Sequence, residues 1–197
     1  MKTIIILFSS LAFILLGNSA PAPVLDFEGN NIRAGKRYYI LPTLEKEEYG
    51  GLDLKVGKKP CSDGISRSSA DDNGLSLTVN PVNNKKGLIT VSTDVNLKFT
   101  DSTGCNESNV WKLIYEKTMK RYAIVLGGVE GNPGQNTLYN WFKIAKAKNG
   151  YKFVFCPTVC SKCKVKCSDI GFVTDKDGVP RLAFSNDPYV FNFYGVG

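Results

Sequence analysis

Apolar and polar residues alternate over short stretches along most of the chain, and turns rich in Gly, Asn, Asp and Pro separate these stretches. A period of two is typical of half-buried β-strands, whereas the three-to-four-residue spacing of an amphipathic helix is nearly missing. The pattern predicts strands at 37–42, 75–79, 87–92, 95–99, 111–116, 121–128, 141–147, 151–156, 169–174, 181–185 and 189–194. With a strand near Val24–Asp26 the total is eleven or twelve, which predicts an all-β domain without a low-complexity linker.

Two segments form a weak internal repeat. Trp111 opens one strand and Tyr122 opens the next, and Trp141 and Tyr151 do the same thirty residues later. Both segments are predicted to be hairpins with their aromatic residues in the core. Repeated hairpins in a chain of about twelve strands favour a threefold-related closed barrel over an immunoglobulin-like sandwich, whose Cys…Trp…Cys spacing is missing.

The amino terminus has the anatomy of a secretory signal peptide. One lysine precedes an apolar stretch of thirteen residues, Ile4–Leu16, and small and polar residues follow it. The stretch is too short to span the ~30 Å of hydrocarbon in a membrane. Cleavage after Ser19 fits the small-residue rule, and cleavage after Ala20 would leave Pro21 directly past the cut. We therefore predict a signal peptide at 1–19 and a single exported domain at 20–197.

The amino-acid composition excludes several classes of function. The chain has no histidine, which excludes Ser-His-Asp and Cys-His catalysis, His-ligated zinc and any histidine pH switch. Its acidic pairs, such as Asp71–Asp72, lie in polar segments where nothing raises one pKa as a glycosidase requires. The net charge of +7 comes from lysines scattered over the chain, which indicates a soluble basic surface and not a nucleic-acid site. The sequence indicates a non-enzyme without metal or cofactor.

Four of the six cysteines follow the spacing C-x₃-C-x₂-C-x₃-C, and they are Cys156, Cys160, Cys163 and Cys167. A metal site, a redox pair and a covalent staple could each use such a cluster. An exported chain favours disulfides over thiolate ligands, and no βαβ context supports a redox role. If strands 151–156 and 169–174 form a hairpin, Cys156 faces Cys167 across it and Cys160 with Cys163 closes the tip. The cluster is therefore predicted to be a staple.

A glycosylation sequon, Asn106-Glu107-Ser108, follows Cys105 directly. In an exported protein this sequence can carry a glycan and predicts an exposed turn. We name Asn106 as the candidate glycosylation site.

Several motifs resemble one known family in order along the chain. "VLDFEGNNIRAGKRYYILP" resembles the opening of the Kunitz-type soybean trypsin inhibitor family of plants. "GGVEGNPGQNTLYNWFKI", "YKFVFCPTVCSKCKVKCSDIGF" and "RLAFSNDPYVFNF" resemble its miraculin-like branch. The resemblance runs from about Val24 to Phe193. It implies a β-trefoil, a six-stranded barrel capped by three hairpins, and the disulfides Cys61–Cys105, Cys156–Cys167 and Cys160–Cys163.

The resemblance also implies a function and a site. Family members inhibit serine proteases with a rigid, substrate-like loop, and a Lys or Arg at its primary position reaches the aspartate in the pocket of trypsin. Here the loop lies within Thr78–Leu88, with Pro81, Val82, Asn83, Asn84, Lys85 and Lys86 at its tip. Counting from either end places the primary position at Lys85, which we favour, and anchoring on the proline places it at Asn83. The expected partner is a trypsin-like endopeptidase. The protein itself is expected to be a secreted or vacuolar monomer.

One departure from the family pattern concerns the support of this loop. Inhibitory members carry an asparagine in the N-terminal turn, where its amide hydrogen-bonds the loop from beneath. This turn reads Arg33-Ala34-Gly35 here, and Ala34 has no amide. Two functions therefore remain open. One is inhibition of a trypsin-like protease through Lys85, and the other is a defence or storage role through another surface, such as the lysines of the cysteine hairpin.

Overall fold

A computed structural model describes residues 20–43, 49–54, 64–83, 87–101 and 103–197. Twelve β-strands lie in this part of the chain: β1 Arg37–Pro42, β2 Leu52–Asp53, β3 Ser66–Arg67, β4 Leu77–Pro81, β5 Asp94–Phe99, β6 Lys112–Glu116, β7 Arg121–Val125, β8 Phe142–Ala147, β9 Gly150–Phe155, β10 Ser168–Thr174, β11 Pro180–Phe184 and β12 Phe191–Gly195. A 3-10 helix spans Gln135–Asn140. No helix in the described ranges is long and apolar enough to cross a membrane.

Six strands close into a barrel. They are hydrogen-bonded in the order β12–β1–β4–β5–β8–β9, and the pair Phe191 and Tyr151 joins β12 back to β9. The remaining six strands form three antiparallel pairs, β2–β3, β6–β7 and β10–β11. Each pair falls between two barrel strands in the sequence, which gives three units of four strands. The prediction of a β-trefoil is therefore confirmed.

The barrel is filled by aromatic and branched apolar side chains from alternate strand positions. Trp111 lies among three rings, with centroid distances of 5.5 Å to Phe99, 6.3 Å to Phe142 and 5.4 Å to Phe153. All four side chains are buried. Such aromatic pairs contribute about 0.5–1.5 kcal/mol each beyond the burial of their area. Of the repeated aromatic residues, Trp111, Trp141 and Tyr151 are buried as predicted, whereas Tyr122 is half-buried at the edge of the core.

The strand predictions differ from the structure in four places. The strand predicted near Val24–Asp26 forms only isolated bridges, at Pro23 and Leu25. Segment 87–92 forms only isolated bridges at Leu88 and Thr90, because the backbone turns at Ser92 with a φ of 62°. Strands β2 and β3 were not predicted, because two residues each cannot show alternation. The two tryptophan hairpins both form, but β6–β7 is a cap and β8–β9 is part of the barrel wall, so they are not equivalent.

The cysteine hairpin continues the ladder between β9 and β10. Ser168 pairs with Phe155, and the next residues outward, Cys156 and Cys167, are joined by a disulfide. A second disulfide joins Cys160 and Cys163 at the tip. No group of metal-binding side chains occurs in the described part of the chain. The four cysteines therefore form the predicted staple.

Cys105 is also disulfide-bonded. Cys61, the partner that the family resemblance implies for it, lies outside the described residues. The predicted signal peptide at 1–19 lies outside them as well, and both interpretations remain predictions.

Candidate functional site

The loop predicted to carry the function leaves the barrel at the end of β4. Pro81 pairs with Val95 of β5, and the amide of Val82 donates to the carbonyl of Asp94 at 2.9 Å. A proline lacks the N–H that an inner strand needs, so it is confined to strand edges. Here β4 pairs with β1 at Leu77 and Thr78, and no second strand of the described ranges pairs with β4 at Pro81. Within the described residues, the backbone of the first limb is therefore held by β5.

The second limb of the loop returns along the N-terminal segment. The amide of Ala34 donates to the carbonyl of Gly87 at 2.8 Å, and Arg33 forms a bridge with Leu88. Gly87 has a φ of 61°, in the left-handed region that glycine adopts without a steric penalty. The turn 33–35 therefore lies directly against the base of the loop, as the family resemblance implies.

The first described residues of the chain extend this contact. The amide of Val24 donates to the carbonyl of Ile89 at 2.9 Å, and the amide of Val91 donates to the carbonyl of Ala22 at 2.9 Å. Val24 and Ile89 are both fully buried. The N-terminal segment is thus part of the support of the second limb.

The supporting turn is held from below by Tyr38. The amide of Arg33 donates to the Tyr38 hydroxyl at 3.0 Å, and the amide of Lys36 donates to the carbonyl of Arg33 at 3.2 Å. Burial raises the pKa of Tyr38 above its ordinary value, so the ring stays neutral at physiological pH. Ala34 itself packs its methyl group against the core. The turn therefore supports the second limb through its backbone, and Ala34 adds no side-chain hydrogen bond to it.

A buried ion pair lies beneath the first limb. Lys143 Nζ is 2.8 Å from Asp94 Oδ1, and the two side chains are 14% and 4% exposed. The same Asp94 carboxylate accepts from the amide and the hydroxyl of Thr158, and Lys143 also donates to the carbonyl of Ser92 at 3.1 Å. These bonds join the start of β5, the start of β8 and the segment that leads into the cysteine hairpin. The loop therefore rests on a cross-linked polar base.

A second polar contact supports the loop from the other side. Glu130 accepts from Asn80 Nδ2 at 2.8 Å and forms an ion pair of 3.1 Å with Lys98. Its neighbour Gly131 donates its amide to Asn96 Oδ1 at 2.7 Å. Residues 127–135, "GGVEGNPGQ", are thus bonded to β5 and to Asn80 of β4, which lies one residue before the loop begins.

The predicted loop residues divide into two groups. Pro81 is buried, Val82 is half-buried and Asn83 is exposed. The tip, 84–86, lies outside the described residues and includes Lys85 and Lys86. The choice between Lys85 and Asn83 as the primary position therefore remains a prediction.

The polar base of the site was missed by the sequence analysis. Asp94, Lys143 and Thr158 are far apart in the chain, and the first and the last are separated by 64 positions. The sequence did not mark Asp94, because the near-complete burial of the strand that it opens is seen only in the structure. A carboxylate in that setting requires a charged or hydrogen-bonding partner.

The candidate glycosylation site lies in the segment that precedes β6. Asn106 is exposed and sits in a bend directly after Cys105. Exposure is the condition that a glycan requires, and occupancy of the site stays a prediction.

Comparison with known proteins gives a consistent assignment. The family model described as "Trypsin and protease inhibitor", of the Kunitz legume type, matches residues 24–194. Miraculin of Synsepalum dulcificum is 40% identical over 186 residues, which are 89% of this chain and 84% of the relative. Kunitz trypsin inhibitor 5 of Arabidopsis thaliana is 41% identical over 173 residues, covering 86% of this chain and 84% of the relative.

A solved structure agrees with these relatives. The Kunitz-type cysteine protease inhibitor PCPI-3 from potato superimposes with a TM-score of 0.78 at 30% identity, covering 90% of this chain and 99% of the potato chain. Membership of one family therefore explains the barrel topology, the stapled hairpin and the loop between β4 and β5. The chain belongs to the Kunitz family of plant trypsin and protease inhibitors, in its miraculin-like branch.

Proposed function

We propose that the protein inhibits a trypsin-like serine endopeptidase by presenting the loop Pro81–Lys86 to the active site as a substrate-like segment. The observation that carries this proposal is the fixation of both limbs. The first limb is bonded to β5 through Val82, and the second is bonded to the N-terminal turn through Gly87. A loop that is already held in place loses little conformational entropy on binding, so more of the contact energy appears as affinity.

Lys85 is the proposed primary residue. A lysine at this position reaches the aspartate at the bottom of the pocket of trypsin, and the charges of the two side chains complement each other. Asn83 is the other candidate, and it would favour a different protease because it carries no charge. The name of the relative Kunitz trypsin inhibitor 5 supports the trypsin assignment.

The proposal also covers the context in which the protein acts. Residues 1–19 are removed as a signal peptide, and the remaining domain follows the secretory pathway, where its disulfides persist. It acts as a monomer without catalytic activity of its own. Its partner is the endopeptidase, and neither nucleic acid nor a membrane is involved.

A direct titration tests the function. Purified protein, added in rising amounts to a fixed concentration of trypsin, is expected to reduce hydrolysis of a chromogenic substrate to near zero at about one equivalent. Papain assayed in parallel tests the cysteine-protease class named for the potato relative. Full trypsin activity at a large molar excess of the protein would contradict the proposal.

A second function has one specific observation in its favour. Ala34 lies at the position that supports the loop and offers no side-chain hydrogen bond. A loop without this bond is expected to be cut more readily as a substrate. In that case the protein keeps the β-trefoil as a defence or storage protein and acts through another surface.

Restoring the missing amide distinguishes a weak inhibitor from a non-inhibitor. Ala34→Asn is expected to strengthen trypsin inhibition by at most about tenfold, because a net hydrogen bond contributes about 0.5–1.5 kcal/mol. The gain is expected mainly in slower dissociation and slower loop cleavage, which stopped-flow kinetics and mass spectrometry measure. The matched control is Ala34→Leu, which adds a side chain of similar size without a donor. Equal effects of the two substitutions would show that the amide has no role.

A further inference from the structure

A cleft on the surface shares no residue with the loop. It has a volume of about 400 Å³ and lies between the β6–β7 hairpin, the end of β11 and the cysteine hairpin. A smaller cleft of about 70 Å³ adjoins it and shares three lining residues, Tyr122, Lys166 and Phe184. The two together form one continuous groove, which we call the basic groove.

The floor of the basic groove is a row of aromatic rings in contact. Tyr115 lies 5.4 Å from Tyr122, Tyr122 lies 5.1 Å from Phe184, and Phe184 lies 5.8 Å from Phe155. Tyr139 stacks on Phe155 at 5.8 Å with an angle of 5° between the planes. The rings at the two ends, Tyr115 and Tyr139, are 54% and 44% exposed. The floor therefore offers ring surface to a ligand at its two ends and partly at Tyr122 and Phe184, whereas Phe155 is buried beneath it.

The rim of the basic groove is cationic. Lys120, Arg121, Lys164 and Lys166 line it, and no aspartate or glutamate does. Within the described part of the chain, none of the three lysines is paired with a carboxylate. Arg121 is oriented by a bond of 3.3 Å to the carbonyl of Phe184. The summed field of these charges attracts an anion.

The cysteine hairpin fixes two of these cations. Lys164 and Lys166 stand two residues apart in a short segment that begins at Cys163 and ends at Cys167. Both of these cysteines are in disulfides, so the backbone between them has little freedom. The lysines are thus presented from a stapled backbone, which reduces the entropy lost on binding.

We propose that the basic groove binds a linear polysaccharide of uronic acids. The apolar faces of pyranose rings pack on aromatic side chains, and the carboxylate on each sugar pairs with a cation of the rim. An acidic peptide would satisfy the charges but would make less use of the ring floor. Single-stranded nucleic acid combines stacking and charge in the same way. Disulfides, however, are typical of oxidising compartments outside the cytosol and nucleus, where nucleic acid is scarce.

The ligand class is tested with four polymers. Binding to sodium polygalacturonate is measured by calorimetry at low and at physiological salt, beside fully methyl-esterified polygalacturonate, polyglutamate and single-stranded DNA. We expect the unesterified polysaccharide to bind best and to weaken as salt screens the charges. Equal binding of the neutral ester, or tighter binding of polyglutamate or DNA, would overturn the proposal.

The site is tested with matched lysine pairs. Lys164→Gln with Lys166→Gln is expected to lower the affinity for polygalacturonate about tenfold, because each exposed ion pair contributes up to about fivefold. The control pair is Lys148→Gln with Lys176→Gln, which removes the same charge from exposed turns outside the groove. Tyr115→Ala is expected to weaken binding at every salt concentration. Equal losses in the two lysine pairs would reduce the interaction to net charge and overturn the proposal.

Discussion

Replacing Lys85 with alanine is expected to abolish inhibition of trypsin. The substitution removes the cation that would pair with the pocket aspartate and leaves that buried carboxylate without a partner. Losing one member of a buried, hydrogen-bonded charge pair at an interface costs about 2–5 kcal/mol, which weakens inhibition by roughly 30-fold to several thousandfold. Inhibition constants determined by titration against a chromogenic substrate measure this loss directly.

Two neighbouring substitutions serve as controls for Lys85→Ala. Lys86→Ala removes the same charge one residue later, and Asn83→Ala changes the other candidate for the primary position. Both are expected to have much smaller effects on trypsin. A large loss in Asn83→Ala with none in Lys85→Ala would move the primary position to Asn83. If neither substitution weakened inhibition, the inhibitory surface would have to lie elsewhere on the molecule.

Removing the charge of Asp94 is expected to destabilise the fold strongly. Asp94→Asn keeps the shape of the side chain but leaves the half-buried Lys143 without its carboxylate partner and weakens the hydrogen bonds from Thr158. Removing one partner of a buried ion pair lowers the free energy of unfolding by about 3–5 kcal/mol. Denaturant unfolding with the disulfides intact measures the loss as a shift in midpoint.

An exposed ion pair of the same chain provides the comparison. Lys98 and Glu130 are 44% and 40% exposed, and Glu130→Gln is expected to cost no more than about 1 kcal/mol. The double substitution Asp94→Leu with Lys143→Met should recover part of the loss from Asp94→Asn, since a buried pair can often be replaced by packed apolar groups. Similar destabilisation by Asp94→Asn and Glu130→Gln would show that burial of the pair has no energetic consequence.

The parts of the fold that the sequence predicts are those in which local pattern and tertiary structure agree. The alternation in Arg37–Pro42 corresponds to β1 residue for residue, because one face of that strand packs into the barrel. The cysteine spacing predicts the hairpin because the outer disulfide joins two residues that face each other across the strand ladder, and the inner disulfide closes the tip. Segment 87–92 shows alternation too, yet its apolar residues are buried against an irregular N-terminal segment and not against a full strand.

The site is less accessible to sequence reasoning, because its contacts connect distant parts of the chain. The loop and Ala34 could be located by their resemblance to a family. The bond from Glu130 to Asn80 spans 50 residues, and neither residue stands out in its own segment. The basic groove combines rings from four strands and the 3-10 helix, so its aromatic floor exists only after the chain has folded.

The pairing of the N-terminal segment with the second limb of the loop determines how proteolysis at the N terminus would affect the protein. Proteolytic trimming past Val24 would remove the bonds to Ile89 and Val91 and uncover one side of that limb. Specific inhibitory activity would then vary between preparations that differ only in a few terminal residues. Intact mass is therefore a quality criterion for such preparations.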